Sequence, residues 1–180
     1  MVDNTRRIFE SDPAGGLSRG FFVWNSEVGS SAFGIMTFLY AYVCGNHLVW
    51  GAKGVRELRI RHIGNADGRA FGELEGELRK YSDDSAGEDE ARIEATRRLV
   101  LGAKKEEVLD AIFKLGVPAL SRDRLDKAYV LAETHRDLAS DPNTAWGMAQ
   151  GLTRLSQTLP YTDDRVALDR AAGRVLEMAF

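Results

Sequence analysis

At 180 residues, with 44% hydrophobic and 28% charged side chains, the chain has the size and composition of one soluble globular domain. A net charge of −3 and a pI near 5.7 weigh against a protein that coats nucleic acid by bulk charge. The single cysteine, Cys44, excludes an intrachain disulfide framework and points to a cytoplasmic protein, and MVDNTRRIFESDPAGG lacks the apolar core of a secretory signal.

Residues 1–18 are polar, contain Asp12-Pro13 and Gly15-Gly16, and read as a flexible N-terminal arm. Residues 19–180 read as one domain, β-rich over 19–66 and helical over 67–180. Phe21-Phe22-Val23-Trp24 predicts a strand, because aromatic and β-branched side chains suit a pleated, buried surface. Ser26 to Ser31 is turn chemistry. The uncharged run from Gly29 to Ala52 is too interrupted, by Gly34, Gly45, Asn46 and His47 among others, for a membrane span. Phe33, Ile35 and Thr37 alternate as a strand does. Thr37 is placed to cap a short helix over Phe38–Cys44, which Gly45-Asn46 would end, and Leu48-Val49-Trp50 begins another strand.

From Arg56 to Ile63 the pattern alternates again. Leu58 and Ile60 share one face; Arg59 and Arg61 share the other with Glu57. Beyond Asp67 the period lengthens to that of a helix, with Phe71, Leu74, Leu78 and Tyr81 on one face. Ser85 and Glu88 form a capping box for a helix to about Leu101. A third helix over Glu106–Leu115 stops at Gly116. Ser121 caps a fourth, to about Arg136. Asp141-Pro142-Asn143 introduces a fifth over Thr144–Ser156, and Thr162 caps the last, to about Met178. These elements predict an α+β fold: a small, largely antiparallel sheet in the N-terminal half, packed with a helical C-terminal half.

Few residues offer chemistry. Cys44, His47 and His62 invite a metal reading, but zinc wants four closely spaced ligands, and Cys44 in an apolar setting packs as a small hydrophobe. Nothing near Cys44 would lower its pKa to make a nucleophile. Gly51-Ala52-Lys53-Gly54 is too short to cradle a phosphate chain. The acid pairs Asp83/Asp84, Glu88/Asp89/Glu90 and Asp163/Asp164 fall in loops or at helix starts, where the helix dipole favours them. Residues Lys105–Arg136 match a helix-turn-helix poorly, since the Gly116–Ser121 connector is long and the second helix, with Arg122, Arg124 and Lys127 against Asp123 and Asp126, is not strongly basic. No enzyme activity, metal or cofactor is therefore expected. Gly147 and Gly151, one turn apart, permit a close helix approach, within the fold or between subunits.

The basic strand carries the strongest signal. Lys53, Arg56, Arg59 and Arg61 lie in a segment with aromatic neighbours Phe21, Phe22, Trp24 and Trp50 on other predicted strands. A charged sheet with aromatic platforms binds single-stranded nucleic acid through phosphate contacts and base stacking. The plainer reading is that these aromatics form the core.

The residues Phe21-Phe22-Val23, Asn25-Ser26-Glu27, Gly29-Ser30, Phe38-Leu39-Tyr40, Val43-Cys44, Asn46 and Leu48-Val49, with Arg61-His62, resemble the DUF932 family of phage- and plasmid-like proteins. Thr144-Ala145-Trp146, Leu152–Leu155 and Asp164-Arg165 through Gly173 are similar to the family's ending. The resemblance spans about Gly20 to Phe180. Ala41 stands where the family commonly has Arg, and Asn46-His47 where it commonly reads Asn-Gly. Members usually extend further at the N-terminus, so the chain reads as a short form. The resemblance implies a mobile-element protein, assigns no catalytic residue, and favours nucleic-acid handling in replication, recombination or strand annealing. The reading is a DNA-binding protein, single-stranded DNA its expected partner, acting as a homo-oligomer. The competing reading is a protein-interaction module, such as a host-defence inhibitor that binds a host protein, or a structural oligomer.

Overall fold

The computed structural model describes residues 2–8, 16–24, 33–41, 47–48, 58–60, 86–134 and 141–180, with residues 72, 73, 75, 76 and 79, which are helical. Five longer helices follow one another: α1 Ala86–Arg98, α2 Lys105–Phe113, α3 Arg122–Thr134, α4 Ala145–Thr158 and α5 Thr162–Leu176. A 3₁₀ turn, Glu177–Ala179, ends the chain.

The core is built by helix against helix. Val108, Leu109 and Ile112 of α2 meet Leu125, Ala128 and Tyr129 of α3; Met148 and Leu152 of α4 meet Leu168, Ala172 and Val175 of α5. Helix α4 is the centre. Every residue from Ala145 to Thr153 is buried, whichever way it points. A helix buried on all sides needs other elements around its whole circumference, and here α1, α3 and α5 supply most of them. Two glycines make the approach possible. A Cβ on Gly151 would collide with the Ala128 carbonyl of α3, and one on Gly147 with the Asp141 carbonyl. The glycine pair therefore serves contacts inside the fold.

Local signals place these helices. Ser121 accepts from the Arg124 N–H at 3.3 Å and starts α3. Gly116 takes a φ of +65° after α2, a conformation that favours glycine. Thr144, extended at φ −99° and ψ 159°, accepts from the Gly147 N–H at 3.1 Å and starts α4. Its neighbour Asn143 is held by Asp141 and by the Tyr129 hydroxyl, which donates to Asn143 Oδ1 at 2.9 Å. Val100 bridges to Thr144, tying the end of α1 to this corner. Thr162, expected as a cap, lies instead within α5; the cap position is Tyr161, with no side-chain cap, and Asp163 and Asp164 favour the helix start through the dipole.

Extended segments lie beside the helical body: β1 Val2–Ile8, β2 Leu17–Trp24, β3 Phe33–Ala41, β4 His47–Leu48 and β5 Leu58–Ile60. They pair antiparallel in the order β1-β2-β3-β4, with β5 also on β3. Val2–Ile8, within the segment read as an arm, is β1. Among the described residues of these segments, Leu17 joins the helical core cluster. Arg19 of β2 is tied to Asp89 of α1 by a bridge of 2.7 Å, and β4 lies against α4 and α5.

The expectation of an α+β fold, a small, largely antiparallel sheet packed with a helical C-terminal half, is overturned. Among the described residues the packed body is helical, and β2 is joined to it through Leu17 and Arg19. The reason is where the described burial falls: the helices close a core among themselves around α4. The short helix expected from Phe38 is also corrected. Phe38–Ala41 is strand, its backbone paired with Leu17–Gly20 of β2; residues 42–46 lie outside the described residues.

Candidate functional site

Of the four basic residues singled out in sequence, Lys53, Arg56 and Arg61 lie outside the described residues. Arg59 is the middle residue of β5, opposite Gly34 of β3. Gly34 is paired on its other edge with Trp24 of β2. Trp24, Gly34 and Arg59 are therefore aligned in backbone register as one row across three strands. The central member of that row has no side chain. Strands lie about 4.8 Å apart, so the outer two backbones are separated by roughly 9.6 Å. Phe21 and Phe22, grouped together in sequence, pair in register with Thr37 and Met36 of β3. Trp50, Cys44 and His62 lie outside the described residues, and His47 pairs with Tyr40 in β4.

Two polar clusters of the helical body were not anticipated. In the first, Lys105 of α2 reaches Asp126 of α3 at 2.6 Å and sits over the Tyr129 ring at 5.6 Å. The hydrogen bond to Asp126 raises the Lys105 ammonium above its usual range. Burial raises the Tyr129 hydroxyl, which is spent on Asn143. A lysine held protonated is neither a base nor a nucleophile near neutral pH, so this cluster acts as a clamp joining α2, α3 and the corner before α4.

In the second cluster, Ser156 near the end of α4 faces Asp169 of α5 at 2.5 Å. Burial, opposed by the Ser156 hydrogen bond and the Arg165 charge, pushes the Asp169 carboxyl up to about 7. Thr153, one turn back, bonds its hydroxyl to carbonyls of its own helix. A serine and a carboxyl without an imidazole between them lack the usual means of activating the hydroxyl. A signal for Asp169 exists in the sequence: it stands three residues before Ala172 and seven before Leu176, both buried, so an acid sits on the apolar stripe of α5. Among the described residues no group of three or more His, Cys, Asp or Glu side chains is placed to hold a metal. No helix among them is long and apolar enough to cross a membrane.

The model of the family described as Domain of unknown function (DUF932) matches residues 12–158. The chain belongs to the DUF932 family. The DUF932 match covers the segments around Trp24, Gly34 and Arg59 and the helices through α4; α5, with Asp169, follows it. No curated protein and no solved structure matches the chain.

Proposed function

We propose that this DUF932 protein binds single-stranded DNA, as a non-enzymatic cytoplasmic protein that works as an oligomer in replication, recombination or strand annealing on a mobile element. Arg59, with Lys53, Arg56 and Arg61 near it in sequence, supplies the phosphate contacts. The observation that supports this reading is the row in which Arg59 and Trp24 flank Gly34. An arginine position and a tryptophan position aligned in backbone register offer the two chemistries that single strands use: a cation for phosphate and an aromatic for base. Bulk charge cannot supply the affinity in a chain of net charge −3, so a local basic row has to.

Fluorescence anisotropy with a labelled oligothymidylate at low salt tests the reading. Binding that weakens as salt rises, and that falls in Arg59→Ala/Arg61→Ala, supports it. No binding, or binding indifferent to both substitutions and to salt, refutes it.

A further inference from the structure

Residues 99–101 join α1 to α2 past the corner before α4. Val100 and Thr144 form an antiparallel bridge there. The Leu101 N–H donates to the Asn143 carbonyl at 2.8 Å, and the Ala145 N–H donates to the Leu99 carbonyl at 3.0 Å. In a pair of this kind the bonds come from the residues on either side, so the N–H and C=O of Val100 itself point away from Thr144. Among the described residues nothing bonds to either group. The side chains alternate to match: Leu99 and Leu101 pack against the core, while Val100 is 60% exposed. Val100 therefore presents one donor and one acceptor on an open strand edge.

A cation stands at each end of that edge. Arg98 is exposed and touches Glu94 at 3.3 Å, a contact that solvent weakens. Lys104 is exposed, and among the described residues no carboxylate pairs with it. The nearest acid between them and α2, Glu107, is spent on the Ala103 N–H at 2.8 Å.

We propose that the Val100 edge docks an extended, acidic segment of a protein partner by strand addition. One residue of that segment exchanges both backbone bonds with Val100, and acids before and after it meet Arg98 and Lys104. Two other occupants fit worse. Single-stranded DNA brings phosphate acceptors to the N–H and the cations, but leaves the Val100 carbonyl facing other acceptors. A second copy, pairing Val100 with Val100 about a two-fold axis, brings Arg98 of one copy toward Lys104 of the other at both ends. An acidic peptide satisfies the donor, the acceptor and both cations. The edge uses none of Trp24, Gly34 and Arg59, so its failure leaves the reading of that row standing.

The test titrates the full, isotope-labelled chain with the peptide Glu-Asp-Thr-Val-Thr-Asp-Glu, capped at both ends, and with a counterpart in which lysine replaces every acid. Saturable amide shifts centred on Val100, with slower exchange of its N–H, are expected with the acidic peptide and not with the basic one. Val100→Pro removes the outward N–H and leaves the bonds to Asn143 and Ala145, since an edge accepts proline. It should keep the melting temperature and weaken binding about 3- to 10-fold. Arg98→Glu/Lys104→Glu should weaken binding more at low salt than at high salt. If Val100→Pro does not fold, the acidic peptide methylated on its valine nitrogen replaces it, and should bind as weakly. The absence of saturable shifts, shifts away from Val100, or equal affinity for both peptides overturns the proposal. So does an oligothymidylate that displaces the peptide from Val100, or a Val100 shift that follows protein concentration alone, because either gives the edge to another occupant.

Discussion

Gly151 of α4 lies so close to the Ala128 carbonyl of α3 that a Cβ at position 151 would overlap the oxygen, with the Ala132 methyl only 3.1 Å away. The neighbour is backbone, which cannot turn aside as a side chain can. Gly151→Ala is therefore expected to push α3 and α4 apart and to cost about 2 kcal/mol or more, despite the better helix propensity of alanine. A urea titration checks this, and a stability equal to or above that of wild type would show that the helices have slack at this crossing. Gly76, with nothing near its absent Cβ, is the control: Gly76→Ala is expected to be neutral or mildly stabilising.

Thr144 does two things at one corner. Its side chain accepts from the Gly147 N–H at the start of α4, and its hydroxyl donates to the Asp141 carbonyl at 2.8 Å. Thr144→Ala loses both and is expected to cost ~1 kcal/mol, within the range for a lost N-cap. Thr144→Ser keeps the hydroxyl and is expected to recover most of that. Equal denaturation midpoints for the alanine and serine variants would contradict the capping role.

The Arg19–Asp89 bridge joins β2 to α1 across 70 residues of sequence, with its side chains 15% and 19% exposed. The Arg79–Glu75 pair, at 75% and 66%, is a solvent-exposed i,i+4 contact. A double-mutant cycle on Arg19 and Asp89 is expected to give a coupling of about 1–2 kcal/mol that survives added salt. The same cycle on Arg79 and Glu75 should give about 0.3–0.5 kcal/mol that salt removes. Equal couplings would mean that β2 is not fixed to the helical body through this pair.

The helices of the C-terminal half are legible in the sequence, because two independent signals agree there. Val108, Leu109 and Ile112 repeat at helical spacing and Gly116 stops them; Ser121 marks the next start. The structure differs from expectation where only one signal was available. Phe38-Leu39-Tyr40-Ala41 suits either a helix or a strand on composition, and cross-strand pairing with Leu17 through Gly20 decides it. The absence of charge from Gly29 to Ala52 suggests a core, but it cannot reveal that α4 is ringed by other helices. That depends on Gly151 meeting the Ala128 backbone of α3, in a separate helix. The candidate site was legible only in part: the Arg59 alternation is plain, while its alignment with Gly34 and Trp24 is a matter of register, set by partners more than 20 residues distant.

The row also predicts the response to substitution. Gly34→Val puts a branched residue, a type that strands favour, at the register position between Trp24 and Arg59. It should weaken single-strand binding while leaving the melting temperature close to that of wild type. Binding unchanged in Gly34→Val would remove the row from the interface even if Arg59 remained in it.

The most direct measurement is the affinity of the full chain for a labelled single-stranded oligonucleotide over a salt series, with Arg59→Ala/Arg61→Ala and Trp24→Ala beside wild type. The account predicts that wild type binds, that the arginine variant binds less and with a shallower salt slope, and that Trp24→Ala loses about 5- to 100-fold from missing stacking. A wild-type protein that shows no affinity at low salt, or three proteins with the same affinity and slope, would contradict it.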